Sequence, residues 1–285
     1  MNRRFQSRWR KMKKKDAAGI EALLRSHERW CMNACNRYLN RSSKRDAVWL
    51  LKNAAEDIIA IMVRYNLSLL PVLSAAADTD LIPPPYFLRG FLSSIPVHSL
   101  QGRKEDMAIM EAPMEKVGLH AEEKLDYDLM CIDHPPSGFY SPCAGLTFRK
   151  PNSGDINALA ALHAAYEQEE VLPAASEFSA ATSRMNIEQI FAKQQMLVAE
   201  LDGRLIGKIN TNAATFTRYQ VGGVYVLPEY RNRGIARRMA GEFITDLVAQ
   251  GKGISLFVKK TNPAARRVYQ RIGFETLGDY RIFYY

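Results

Sequence analysis

The stretch Val224-Tyr225-Val226-Leu227-Pro228-Glu229-Tyr230-Arg231-Asn232-Arg233-Gly234-Ile235-Ala236 reads as a strand that breaks at a glycine-bearing turn and restarts as a helix. Downstream, Ile235/Ala236, Met239/Ala240, Phe243/Ile244 and Leu247/Val248 recur at helical spacing and form one apolar stripe. The first amides of such a helix have no partner within it, and the helix dipole adds partial positive charge at the same place. Gly234 lets the backbone approach a ligand closely, and Arg231, Arg233, Arg237 and Arg238 stand nearby. The turn therefore suits a phosphate or pyrophosphate. A short Arg-x-x-Gly-x-Ala motif alone is equally an ordinary turn with solvated arginines, so its flanks decide.

Further on, Ile254-Ser255-Leu256-Phe257-Val258 has the composition of a buried strand, and Asn262-Pro263-Ala264-Ala265-Arg266-Arg267-Val268-Tyr269 follows a short polar turn. Asn262 is placed to cap a helix, Pro263 suits its first position, and Gly273, before Phe274, fits the left-handed residue past its end. Taken together, the two blocks resemble the acyl-CoA-binding half of the GNAT N-acetyltransferase superfamily. The first matches its Arg/Gln-x-x-Gly-x-Gly/Ala loop and the second its Asn-x-x-Ala-x-x-x-Tyr helix followed by Gly-Phe.

The resemblance extends back to about Gly145. Leu146–Arg149 reads as a strand, Asp155 opens a helix carrying Ile156, Leu159, Leu162 and Tyr166, and a second helix lies around Ile187 to Lys193. Met196–Leu201 and Leu205–Ile209 flank Asp202-Gly203, a strong hairpin signal. The resemblance implies an α/β (α+β) fold, whose C-terminal domain has a mixed, mostly antiparallel central sheet flanked by helices.

It also implies a site. Acetyl transfer needs an amine as free base, support for a tetrahedral oxyanion, and a proton for the departing thiolate. By resemblance, Val224, Tyr225 and Val226 run beside the pantetheine arm of acetyl-CoA, with an amide of this strand facing the thioester carbonyl. Arg231, Asn232, Arg233, Gly234, Ile235, Ala236 and Arg237 cradle the pyrophosphate, Asn262 and Ala265 contact the cofactor, and Tyr269 protonates the sulfur. Tyr269 is otherwise a core aromatic. The general base departs from the family pattern: some relatives carry a glutamate where Gln220 stands here, others where Phe257 stands. The nearest carboxylates are Glu169 and Glu170, at the end of the first helix of this half, where the family forms its acceptor pocket. A solvated acidic turn is the other reading of that pair, and a base acting through water or the carboxylate of Tyr285 stays open. Asn210 and Asn212 are expected either to line the same pocket or to face solvent.

At 285 residues the chain has the length of two domains. The expected division is a basic arm or helix at 1–18, an α+β domain at 19–143 and the GNAT-like domain at 145–285. In the first half, 47–52 and 58–63 read as a hairpin, followed by Leu69–Leu73, a helix from about Lys104 to Lys116, and a strand at Tyr127–Ile132. This order echoes the second half, and the place of the anion loop is read at Leu100-Gln101-Gly102-Arg103-Lys104-Glu105. The domain is therefore expected to be a degenerate GNAT-like copy without a competent cofactor site, or else an unrelated α+β unit.

The net charge is +9, and Arg3, Arg4, Arg8, Arg10, Lys11, Lys13, Lys14 and Lys15 precede the first acid, Asp16. Such an arm can attract nucleic acid or an anionic membrane; a solubilising helix end or frayed terminus is the preferred reading. No apolar run reaches membrane-spanning length and no secretory signal is read, so a cytoplasmic protein without a transmembrane segment is expected. Cys31 and Cys35 lie one helical turn apart and, with Cys131 and Cys143, are expected as thiols; neither these nor the five histidines have metal-ligand spacing, so no metal is expected.

The reading that results is an acetyl-CoA-dependent N-acetyltransferase acting on a primary amine, of a small molecule or peptide, by direct attack in a ternary complex. The first domain would shape the acceptor cleft or support a homodimer. Alternatives are a non-catalytic acyl-CoA-binding sensor, suggested by the missing glutamate, and a two-lobed aminoacyl-tRNA-dependent transferase.

Overall fold

The computed structural model describes residues 9–42, 46–74, 83, 88, 96–136, 145–172 and 177–285. Arg3, Arg4, Arg8 and Cys143 lie outside them. The chain divides into two compact units, Met1–Leu129 with Leu277–Tyr285, and Met130–Thr276.

The first unit contains β1 (Arg10–Lys11), α1 (Ala17–Ser26), α2 (Met32–Leu39), β2 (Ala47–Lys52), β3 (Ile58–Tyr65), β4 (Ser68–Leu73), β5 (Ser99–Arg103), α3 (Lys104–Glu115) and most of β6 (Glu123–Ile132). Part of the basic arm belongs to the sheet. Arg10 and Lys11 pair with Leu50 and Trp49 of β2, Trp9 is buried, and the Arg10 guanidinium grips the buried Asp16 at 2.7 and 2.8 Å. That grip holds the Asp16 carboxyl far below the usual carboxylate range. Strands β2, β3 and β4 form an antiparallel meander, and β4 meets β5 in parallel. Beyond β5 lies the chain's last strand, β12 (Glu275–Tyr284), antiparallel to it, and then β6. Leu100–Glu105, read from sequence as the place of an anion loop, is instead the body of β5 and the start of α3. The order of elements misled: the helix from Lys104 follows β5 directly, and Gly102 sits inside that strand, paired with Arg281. Most of the connection between β4 and β5 lies outside the described residues.

The second unit runs β7 (Leu146–Arg149), α4 (Ile156–Tyr166), a wide turn at Glu167–Val171, α5 (Ala180–Lys193), β8 (Met196–Leu201), β9 (Arg204–Ala214), β10 (Arg218–Val226), α6 (Ile235–Val248), β11 (Gly253–Lys259) and α7 (Pro263–Ile272). Its strands lie in the order β7-β8-β9-β10-β11, edged by Met130–Ile132 of β6. From β7 to β10 neighbours pair antiparallel, and β10 and β11 are parallel. The sheet is thus mixed, as expected. Both units place a parallel step after an antiparallel hairpin and follow it with a helix, the repeated order that a diverged copy requires.

Helices cover both faces of the second sheet. On one, the stripe Ile235, Met239, Phe243, Ile244 and Leu247 packs on Ile206, Ile209, Ile254 and Leu256. On the other, Leu159 and Leu162 of α4 and Ile187 of α5 pack on Val198, Leu205 and Tyr225. The sheet's strands are therefore buried on both sides, which explains why β8 opens as the unbroken apolar run Met196-Leu197-Val198-Ala199. α5 begins seven residues before the expected start at Ile187, at Ala180, because Ser179 caps it by accepting a hydrogen bond from the Thr182 amide. Ile244 is fully buried, so Ile244→Ala should cost about 2–5 kcal/mol, read as a lower denaturant midpoint for this unit in chemical unfolding.

Candidate active site

The site begins where β10 leaves β11. The two pair only from Arg218↔Gly253 to Gln220↔Ser255. Arg218 holds that joined end: buried, it donates to Ser255 Oγ at 2.9 Å and to the Ile254 carbonyl at 2.7 Å. Past Gln220 the strands part, and a cavity of about 820 Å³ opens along β10, within the range of pockets that take small ligands.

Three elements line it. From β10 come Val224, Tyr225 and Val226; from the turn into α6, Tyr230 to Arg238; from α7, Asn262, Ala265, Arg267, Val268, Tyr269 and Arg271. Glu169 and Glu170 complete the wall. The residues expected from sequence at the cofactor and at the chemistry thus lie around one opening.

The turn is built for close approach. Asn232 and Gly234 have φ of +62° and +75°, so two left-handed residues wind the chain into the helix. A Cβ on Gly234 would meet no atom within 4 Å; backbone conformation rather than crowding selects glycine there. The first α-helical hydrogen bond of α6 runs from Arg238 N–H to the Gly234 carbonyl, so the amides of Ile235 and Ala236 precede the helix's own ladder. They and the dipole give an anion site at the cavity wall.

The arginines are not equivalent. Arg231 makes a bidentate pair with Glu169, both contacts 2.7 Å, and its Nε donates to the Val226 carbonyl at 2.9 Å. It clamps the turn to β10 and to the wide turn after α4. Arg233 donates to the Glu229 carbonyl at 3.2 Å and stacks on Tyr230, and Arg238 stacks on Phe148. Arg267 and Arg271, which sequence reading did not single out, add positive charge from the α7 side.

α7 is positioned by both ends. Asn262 Oδ1 accepts from the Ala265 amide at 3.0 Å while its Nδ2 donates to Glu170 Oε1 at 3.0 Å. At the other end the Phe274 amide donates to the Tyr269 carbonyl at 3.0 Å, and the two rings meet edge to face at 5.7 Å. This Gly-Phe stop fixes the phenol against the cavity. Tyr269 is 8 % exposed; burial, then Tyr166 and Glu170, raise its pKa.

Glu169 and Glu170 differ as bases. The Arg231 hydrogen bonds hold Glu169 below the usual glutamate range, making it a poor proton acceptor. Glu170 takes the Asn262 contact and faces the two phenols. Asn210 and Asn212 are not among the cavity-lining residues: Asn210 is buried behind β10 and donates to Asn212 Oδ1 at 2.9 Å. Gln220 is buried in β10.

Behind the same stretch of β10 lies a polar group that sequence reading missed: His163 and Tyr166 of α4, Glu167, and Lys208 of β9. Lys208 is fully buried, and that burial lowers its pKa to about 7. Burial and the Lys208 charge push His163 down to about 4, and its Nε2 lies 3.2 Å from Glu167 Oε1. Burial, with help from Glu170, pushes Tyr166 up to about 12. One signal was available, a lysine inside the run Leu205-Ile206-Gly207-Lys208-Ile209.

Residues 159–274 match the model of the Acetyltransferase (GNAT) family. The second half of this chain carries an acetyltransferase domain of the GNAT family. No curated protein sequence matches the chain. Among solved structures, a GCN5-related N-acetyltransferase from Sphaerobacter thermophilus is similar over 98 % of this chain and 95 % of its own, at 17 % identity and TM-score 0.63. A Drosophila protein is similar over 98 % and 99 %, at 14 % identity and TM-score 0.67. A tandem GNAT protein from the clavulanic acid biosynthesis pathway is similar over 97 % and 98 %, at 13 % identity and TM-score 0.59. At these identities the likeness is one of fold.

Among the described residues, no helix is long and apolar enough to cross a membrane and no group of three or more His, Cys, Asp or Glu could hold a metal ion. Cys31, Cys35 and Cys131 are buried thiols that form no disulfide.

The raised phenols at the site give a sign for alkaline pH. A tyrosine whose folded pKa lies above its unfolded value near 10 stabilises the fold fully below pH 10 and loses that contribution as pH rises toward the folded value. Stability should therefore fall between pH 10 and 12, and less steeply in the variant Tyr166→Phe/Tyr269→Phe, measured by urea unfolding across that range.

Proposed function

We propose that the second unit transfers an acetyl group from acetyl-CoA to a primary amine by direct attack within a ternary complex. One observation supports this most: an anion-receptive helix terminus and a buried phenol share the wall of one cavity, with an open length of β10 between them. In this reading the amides of Ile235 to Arg237 hold the diphosphate, Val224 to Val226 line the pantetheine arm, and Asn262 and Ala265 flank it. The amine nitrogen attacks the thioester carbon, the C–S bond breaks, and the amine's proton leaves to a base while the sulfur receives one. Tyr269 is the donor to the sulfur. Glu170 is the better placed base of the acidic pair, since Arg231 occupies Glu169.

A second reading, an acyl-CoA-binding sensor without turnover, is favoured by that same Arg231–Glu169 pair and by the uncharged Gln220. Thiol release from acetyl-CoA in the presence of a panel of primary amines separates the two: release supports transfer, and binding without release supports the sensor. Titration calorimetry on the full chain should show acetyl-CoA binding. Tyr269→Phe should lower turnover about tenfold or more and leave acetyl-CoA affinity within about twofold; equal turnover would remove Tyr269 from the donor role. Gly234→Ala, which places a side chain at positive φ, should weaken binding about tenfold.

A further inference from the structure

Lys208 acts on the open stretch of β10 from behind. Its Nζ donates to the Gly223 carbonyl at 2.9 Å and to Asn210 Oδ1 at 3.4 Å. It lies 4.5 Å from the centroid of the Tyr166 ring. Opposite, the β9–β10 register slips: Gly222 faces Asn210 and Tyr225 faces Lys208, so Gly223 and Val224 together oppose Ile209 alone. β11 pairs with β10 no further than Gln220. The peptide joining Gly223 to Val224 therefore stands outside the register of both neighbours. Its carbonyl end is held by Lys208, and its amide end belongs to Val224, a cavity-lining residue. Gly223 has φ +59°, and a Cβ there would fall 2.2 Å from Asn210 Oδ1. A side chain there would have to displace Asn210 and Lys208 and would be strained at this φ, so glycine suits the position above the polar group.

We propose that Lys208 is a positioning residue that fixes and polarises the Gly223–Val224 peptide, so that the Val224 N–H is the donor to the thioester carbonyl in the acetyl-CoA-dependent reading above, on which this inference rests. A hydrogen bond accepted at an amide carbonyl strengthens the N–H of the same amide, by about 10–30 % per bond, and a charged donor does so about twice as strongly as a neutral one. The protonation state of Lys208 therefore matters. Burial brings its pKa to about 7, with Glu167 favouring the charged form. His163, lowered to about 4, is neutral there, and so are Tyr166, raised to about 12, and Tyr225 of β10, raised by burial. Below neutral pH Lys208 is an ammonium and polarises the peptide more; above it, an amine, it polarises less.

The test is the infrared carbonyl stretch of acetyl-CoA carrying a ¹³C carbonyl, bound to the full chain without an acceptor. Calorimetry first establishes that the wild type binds acetyl-CoA; failure there overturns the parent reading and this inference with it. Given binding, Lys208→Met should keep acetyl-CoA affinity within about threefold, move the bound carbonyl stretch to higher frequency and lower thiol release about tenfold. An unmoved stretch overturns the role of Lys208 while leaving the acetyltransferase reading intact. Should Lys208→Met not fold, the wild type decides alone. Its bound carbonyl stretch should rise in frequency between pH 6 and 8, with a midpoint near 7, and Glu167→Gln should move that midpoint down. A stretch constant over this range overturns the proposal.

Discussion

A strand cannot stay in two ladders and also open a cleft, and the second unit depends on how β10 resolves that conflict. It pairs with β11 for a few residues, under the grip of Arg218, and then separates. The separation exposes main-chain groups that a closed sheet would consume, and an exposed backbone amide that water does not satisfy is costly. The fold makes those groups the wall of a cavity. The turn after β10 extends the same logic, because the first amides of α6 precede the helix's own ladder and face the same space. Main chain thus contributes to the cavity wall beside the arginines and glutamates that line it, and main chain is held in place by the strands and helices it belongs to.

The charges are arranged around this open backbone in two groups with different work. On the cavity side, Arg231 joins Glu169 to the Val226 carbonyl, so three separate segments meet at one guanidinium. Both side chains are over a third exposed, so the pair contributes little to stability and more to geometry. Behind β10, by contrast, Lys208 is wholly buried, and the carboxylate that favours its charged form, Glu167, sits on the wide turn that ends α4. A buried ammonium without such a partner would cost several kcal/mol. Glycines at 222 and 223 leave the space that Asn210, Asn212 and Lys208 fill, so backbone irregularity and buried polarity are two sides of one arrangement.

Much of this was legible because it is local. The stripe from Ile235 to Leu247, the Asn262 cap with Pro263, the Gly273 stop and the Asp202-Gly203 hairpin each follow from residues within a few positions of one another, and each is where the sequence places it. The cavity walls were legible for the same reason, since two short motifs carry most of them. What was illegible is tertiary. Nothing near Glu169 in sequence says that Arg231 will occupy it, and nothing near Lys208 says that Gly223 will be its acceptor, fifteen residues away. The reading of Leu100–Glu105 as the place of the loop failed because it followed the order of elements alone, and the strand that pairs with this stretch, β12, comes from the far end of the chain.

The proton traffic of the proposed reaction sharpens what Tyr269 can do. A phenol raised by burial is a weaker acid than a thiol of ordinary pKa near 8.5, and each unit of difference makes full transfer to a thiolate about 1.4 kcal/mol harder. Tyr269 therefore serves the sulfur best as a hydrogen-bond donor during C–S cleavage, completing transfer only as its own proton is replaced. The replacement has a source in the reaction itself, because the attacking amine must shed a proton. Glu170 bears on both Tyr166 and Tyr269, so a carboxylate that takes the amine's proton stands beside the phenols that would pass one to sulfur. On this account the missing glutamate on β10 is no defect. The wide turn after α4 brings a carboxylate to the same face of the sheet from another direction, and the Asn262 hydrogen bond that orients it belongs to the same helix as the phenol.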